Sequence, residues 1–292
     1  MKRRGIKRRL DRLGGWLANT ILRTIHAALR LLPPDRRVAL GGAVGRTLLV
    51  RVPFIRKRAD RNLALIYPMM PPEERAAAIA ACGDNFGRVA VEQGMMGTFI
   101  ARTDRFRPTG PGWDIARAEI AAGRAVVFAS AHYGNWEAIR ALFKAEGLSV
   151  AGVYRPHNNP FFNADFVASL EEVDETTFAK GSGTKDLIRH VREGGAVMIL
   201  IDQKQTGSPL FDFLGHPAET ALTPAKLALT SDAPLIPALA RRMEDGTHFE
   251  AWLGAPIAQG TPEEMTEAVN AALTEGIERA PEQWFWFHRR WR

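Results

Sequence analysis

Of the seven histidines in this chain, only His132 has an acidic residue five positions on, Glu137. The two lie in Ala131-His132-Tyr133-Gly134-Asn135-Trp136-Glu137, directly after the apolar run Ala125–Ser130. An imidazole at the end of a strand, steadied by a carboxylate, can act as a general base near neutral pH. On one continuous helix a five-residue spacing would point the two side chains in different directions. The expected arrangement therefore has His132 in a turn and Glu137 in the first turn of the next helix, with Gly134 allowing the tight bend and Asn135 capping the helix. The Glu137 carboxylate then reaches back to one ring nitrogen, fixes the tautomer, and leaves the other nitrogen to take a proton. No nucleophile stands alongside: Ser130 is in no G-x-S-x-G turn, and Cys82 lies in an Ala-rich helical stretch. A His–acid pair without a nucleophile points to direct deprotonation of a substrate alcohol. The plainer alternative is a strand-end histidine that only hydrogen-bonds the helix.

Two further polar clusters follow apolar runs. In Tyr154-Arg155-Pro156-His157-Asn158-Asn159, Arg155 offers a planar fork of donors suited to phosphate or carboxylate, and Asn158 and Asn159 can bind sugar or amide groups. In Asp202-Gln203-Lys204, Asp202 and Gln203 are candidate substrate contacts, and Phe211 and Phe213 just beyond could line an apolar groove or belong to the core. No second ligand at a useful spacing accompanies Asp202, so no metal is expected there. Lys180-Gly181-Ser182-Gly183 has the look of a phosphate cradle but lacks the full P-loop pattern, and reads as a loop ahead of a helix. Arg289-Arg290 among Trp284, Trp286 and Trp291 suits a membrane interface or a nucleic acid, with a surface-packed tail as the plainer alternative.

The elements that must position these groups alternate. After N-terminal helices, residues 72–99 read as helical. Strands are then expected at 125–130, 148–154, 196–202, 235–240 and 249–253, with helices at 135–145, 186–193, 224–230 and 262–279. That order implies an α/β fold with a mostly parallel or mixed sheet flanked by helices, and reactive groups at the carboxyl ends of its strands. A right-handed crossover from the first of these strands to the second would make the rims bearing His132 and Arg155 neighbours.

Charge is uneven. Residues 1–61 hold 17 Lys or Arg against three Asp, a net of +14, whereas the rest is net −7. Within residues 13–32, Leu17, Ile21, Ile25, Ala28, Leu29 and Leu32 recur at helical spacing, with Asn19, Arg23, His26 and Arg30 on another face. Arg23 and Arg30 would be costly inside lipid. A helix lying in the interface, with its arginines at lipid phosphates, is the expected arrangement. This divides the chain into a basic membrane-associating N-terminal segment, 1–60, and a catalytic α/β domain, 61–292. The single cysteine excludes an intrachain disulfide.

The His-x4-acid motif after a strand resembles that of the glycerolipid and lysophospholipid acyltransferases. Further stretches narrow the resemblance to the lipid A late-acyltransferase branch. They are residues 61–68 (RNLALIYP), 153–160 (VYRPHNNP), 202–203 (DQ), 213–218 (FLGHPA) and 281–290 (PEQWFWFHRR), in family order from about residue 60 onwards. The resemblance implies an acyl donor carried as a thioester on acyl carrier protein and no other cofactor. The acceptor it implies is the hydroxyl of a 3-hydroxyacyl group on a lipid A precursor at the cytoplasmic face of the inner membrane. It also places the Asp202 stretch beside the catalytic histidine. The chain departs from the wider pattern in using Glu where Asp is usual, and in an N-terminal segment interrupted by charge.

Competing functions are the same chemistry on another glycolipid or aminoacyl lipid, such as an inositol mannoside, and a non-catalytic lipid-binding protein. No nucleic-acid motif is visible.

Overall fold

A computed structural model describes the backbone of residues 2–291 and the side chains of residues 12–291. Met1, Arg292 and the side chains of the basic run at 2–11 lie outside the described residues. Five helices come first: α1 (Lys2–Leu29), α2 (Pro34–Thr47), α3 (Pro53–Ile66), α4 (Pro72–Gln93) and α5 (Met96–Ile100). Three of them open on proline, whose fixed φ suits the first helical turn and whose missing N–H costs nothing there. The N-terminal segment expected to end at residue 60 has that boundary inside α3.

Strands and helices then alternate: β1 (Phe106–Thr109), α6 (Gly112–Ala121), β2 (Val127–Gly134), α7 (Glu137–Ala145), β3 (Ala151–Tyr154), α8 (Pro160–Val173), β4 (Thr177–Ala179), α9 (Thr184–Arg192) and β5 (Val197–Leu200). A small hairpin of β6 (Leu210–Phe213) and β7 (His216–Glu219) follows, then α10 (Thr223–Thr230), β8 (Leu235–Arg242), β9 (Phe249–Leu253) and α11 (Pro262–Glu278). The seven-stranded sheet runs β1-β9-β8-β2-β5-β3-β4, parallel except where β9 lies antiparallel to β8. This is the expected α/β class with a mostly parallel central sheet.

Both faces of the sheet are covered. Val127, Ala129, Ala131 and Tyr133 of β2 join one cluster with Leu227 of α10 and Leu273 of α11, while Val126 and Phe128 join another with Ile139 and Phe143 of α7. A strand buried on both faces reads as a continuous apolar run, which is why β2 and β5 stand out in the sequence. One expectation fails here. β5 pairs with both β2 and β3, so it lies between the rims that carry His132 and Arg155. The crossover from β2 to β3 skips a position, which β5 later fills.

The N-terminal helices pack in an unusual sense. Part of the α1 stripe expected at lipid phosphates instead meets the body of the protein: Asn19 Nδ2 donates to Asp165 of α8 (2.9 Å), and Arg23 pairs with the same carboxylate. Leu13, Leu17, Ile21 and Ile25 are left exposed. Next to it, α2 and α4 touch backbone to backbone. A Cβ on Gly45 would come within 2.0 Å of the Gly83 carbonyl, and one on Gly87 within 2.1 Å of the Gly41 carbonyl. Among the described residues no single helix is long and apolar enough to cross a membrane; residues 34–66 could do so only as a pair bent by 91°.

Candidate active site

β2 does not end before the histidine. It stays extended through Tyr133 to Gly134, past an irregularity in its pairing with β8, so His132 sits on the last stretch of a strand rather than in a turn. Gly134 has φ +55, and a Cβ there would lie 1.8 Å from the Ala240 carbonyl of β8, so this position requires glycine.

This extension changes the partner of the His132 ring. His132 Nδ1 lies 2.7 Å from Asp202 Oδ1, and the His132 backbone N–H donates to Asp202 Oδ2 (2.8 Å). The indole N–H of Trp284 donates to the same oxygen (2.9 Å). Asp202 follows β5, the direct neighbour of β2, and its side chain is 2% exposed. Burial would raise its pKa, but the His132 charge, the two His132 hydrogen bonds and the Trp284 indole hold the carboxyl below the usual range. Asp202 was expected to touch substrate; it is instead sealed beneath the imidazole.

Glu137 was expected in that role, and the structure gives it another. The extended residues after His132 carry the chain about 3.3 Å per residue away from the ring before α7 begins. The carboxylate finds nearer partners: Arg140 Nη1 one turn along (2.7 Å) and the Trp136 indole N–H (3.0 Å). Glu137 and Arg140 are both buried.

With Nδ1 against Asp202, Nε2 is the ring nitrogen on the open side, and the ring is partly exposed. Gln203 meets this side, its Nε2 3.4 Å from His132 Nε2. Two aromatic rings flank the imidazole, Trp136 at 4.9 Å between centroids and Phe285 at 6.0 Å. Cys82 cannot serve as a nucleophile: burial pushes its thiol up to about 12, and its Sγ–H donates to the Trp284 carbonyl.

The remaining candidates separate. Arg155 and Asn158 are exposed at the carboxyl end of β3, one strand beyond β5. Asn159 is structural: its Oδ1 caps α8 by accepting from Phe161 N–H, and its Nδ2 donates to the Gly15 carbonyl of α1. Phe213 is fully buried against Trp284, Trp291 and the Arg290 guanidinium, so it belongs to the core and not to a groove.

The C-terminal segment, expected at a membrane interface or as a packed tail, builds the site's wall. Phe285 N–H donates to the His132 carbonyl (3.1 Å), and Tyr133 bridges to Trp284. Buried Arg290 donates to the carbonyls of Gln203 (3.2 Å) and Glu219 (2.7 Å) and to Thr220 Oγ1 (2.6 Å). Asn62 of α3 donates to the Trp286 and His288 carbonyls (2.8 Å each). The density of tryptophan in this stretch was the available signal, because a tail so apolar must be covered by something.

The family model for bacterial lipid A biosynthesis acyltransferases matches residues 3–292. A lipid A biosynthesis acyltransferase of Haemophilus influenzae is 24% identical over 264 residues, covering 88% of this chain and 82% of its own. The lipid A biosynthesis lauroyltransferase of Escherichia coli K12 is 26% identical, covering 87% and 84%. A phosphatidylinositol mannoside acyltransferase of Mycobacterium tuberculosis is 26% identical over a shorter stretch, 62% of this chain and 58% of its own. The chain belongs to the bacterial lipid A biosynthesis acyltransferase family and is an acyltransferase.

Proposed function

We propose that this enzyme moves a fatty acyl chain from the thioester of acyl carrier protein to the hydroxyl of a 3-hydroxyacyl group on a lipid A precursor, with His132 as general base. The observation that carries the mechanism is the His132–Asp202 contact. It supports an Nδ1–H that donates to the buried carboxylate, with Nε2 free to take a proton at the open rim. Nε2 takes the hydroxyl proton as the oxygen attacks the thioester carbonyl. The tetrahedral intermediate then expels the thiolate, which leaves with the proton from the imidazolium, and the base is restored. No covalent acyl-enzyme forms and no further cofactor enters.

Apolar rings adjoin the base. Phe285 lies beside His132, and exposed Phe86 of α4 lies 5.0 Å from Phe285 between centroids, a surface suited to an acyl chain. Arg155 and Asn158, exposed on the same rim, suit a phosphoryl or sugar group of either substrate. The exposed apolar face of α1, next to a strongly basic segment, supports attachment at the cytoplasmic face of the inner membrane, where anionic lipids attract Lys and Arg.

The test is mass spectrometry of products from purified enzyme, acylated carrier protein and the lipid A precursor. One added acyl chain is expected with the parent and almost none with His132→Ala; parental turnover by folded His132→Ala would end the general-base reading. The Mycobacterium tuberculosis relative favours a second reading, the same chemistry on an inositol mannoside. Offering that acceptor in competition decides between them.

A further inference from the structure

Glu137 lies in the His-x4-acid motif, yet both of its carboxylate oxygens are engaged away from His132. Oε1 accepts from the Trp136 indole (3.0 Å) and Oε2 from Arg140 (2.7 Å). Arg140 is held in turn: its Nε donates to the Val150 carbonyl (2.9 Å), and its guanidinium lies over Gly152 of β3, where a Cβ would come within 2.9 Å of Nη1. From behind, Asn135 Oδ1 accepts the Glu137 backbone N–H (3.2 Å), and Asn135 Nδ2 donates to Glu92 of α4 (2.8 Å). Glu92 is gripped by both terminal nitrogens of Arg242 at 2.7 Å each. A chain of buried, paired groups thus runs from β8 through α4 to one indole. That indole meets the imidazole nearly edge-on, at 69° and 4.9 Å.

We propose that Glu137 is a positioning residue that acts through Trp136. Its carboxylate holds the indole against the His132 ring, so the ring cannot tilt about its Asp202 hydrogen bond and Nε2 stays aimed out of the rim. Its charge neutralises buried Arg140 and does not polarise the imidazole; Asp202 does that. Two carboxylates near one base therefore divide the work, one setting basicity and the other orientation. The proposal rests on His132 being the base.

Alanine at Glu137 cannot test this, because it strands Arg140 as a buried, unpaired charge and the fold suffers with the function. Two other variants can. Trp136→Phe keeps a ring but removes the donor to Glu137. Glu137→Gln combined with Arg140→Met removes the buried ion pair as a unit while keeping an acceptor for the indole. Steady-state kinetics are measured across pH for each, beside Asp202→Asn, with thermal unfolding to confirm folding.

Trp136→Phe is expected to lower kcat by about tenfold, since small misplacements of a reacting group carry losses of up to roughly 10²-fold. The acid limb of its pH–rate profile should stay where the parent's lies. The double variant should lose less than about tenfold in kcat, with the same limb, whereas Asp202→Asn should move the limb to lower pH. The proposal is overturned if the double variant shifts the limb as far as Asp202→Asn does, or if Trp136→Phe matches the parent in kcat. Parental turnover by His132→Ala would instead sink the acyl-transfer mechanism beneath it, so the two failures are told apart.

Discussion

Two stretches of one sheet rim, a few ångströms apart, are built on opposite plans. Where β2 and β5 end, the groups around His132 are mostly buried and dry: Asp202 accepts three hydrogen bonds, and Arg290 and Trp284 are buried around it. Where β3 and β4 end, Arg155, His157 and Asn158 face solvent. Tyr154 pairs with Ala179 in register, so Arg155 and Lys180 are neighbours, and burial together with the Arg155 charge lowers the Lys180 pKa. Two adjacent cations repel unless something anionic sits between them. The dry stretch suits a proton transfer whose geometry must not change. The wet one suits a charged group that must arrive and leave.

That contrast can be broken most sharply at the dry stretch. Asp202→Ala is expected to cost about 10²–10⁴-fold in kcat, because the base loses both its tautomer and its orientation. Single-turnover assays on folded protein measure it, and a loss below about fivefold would mean that Asp202 is only a structural acceptor. At the wet stretch the expected signature is different. Arg155→Ala should raise KM for donor or acceptor with kcat mostly intact, a loss of about ten- to a hundred-fold in kcat/KM for one charge-assisted hydrogen bond. Lysine should rescue only part, since it keeps the charge but lacks the fork. A collapse in kcat with both substrates saturating would put Arg155 in the transition state and erase the distinction.

The dryness itself can be read by titration. Burial pushes the His288 imidazole down to about 4, against roughly 6.5 in an unfolded chain. Between those values the unfolded chain binds more protons, so stability is lost as pH falls from about 6.5 towards about 4. His288→Gln should flatten the fall in Tm over that window. An unchanged slope would show the wall to be wet. The smallest effect is expected at α1. Removing residues 1–32 should lower vesicle binding, by about 1 kcal/mol for each juxtamembrane Lys or Arg at low salt, while leaving turnover of a detergent-dispersed acceptor within about threefold. Unchanged cosedimentation would locate membrane attachment elsewhere.

What the sequence discloses follows from how local the signal is. The doubly buried strands β2, β5 and β8 are visible as apolar runs, and His132 is visible at the end of one. β1 (FRPT) and β4 (TFA) are short edge strands with almost no pattern, and the β6–β7 hairpin lies in a stretch that reads only as a polar cluster near two phenylalanines. Asp202 is visible as a strand-end polar residue but not as the partner of His132. The two are 70 positions apart, and only the placing of β5 beside β2 brings them together. Glu137 is the reverse case. Its nearness in sequence suggests a contact that two further residues of strand, Tyr133 and Gly134, prevent. The Trp-rich segment is legible in composition and illegible in destination, because nothing local says which surface it will cover.

That destination bears on when the protein first becomes competent. Trp284 reaches Asp202 across 82 positions, and the Phe285 amide reaches the His132 carbonyl across more than 150. A ribosome that has finished the sheet has therefore still not finished the site. The nascent chain carries His132 on β2 through the synthesis of seven later strands and α11, with one wall of the site missing. Only when residues 284–290 emerge and fold back does the imidazole gain its full setting. A chain halted before that point should be largely folded yet catalytically silent, so growing polypeptides would be kept from premature acyl transfer by the order of translation alone.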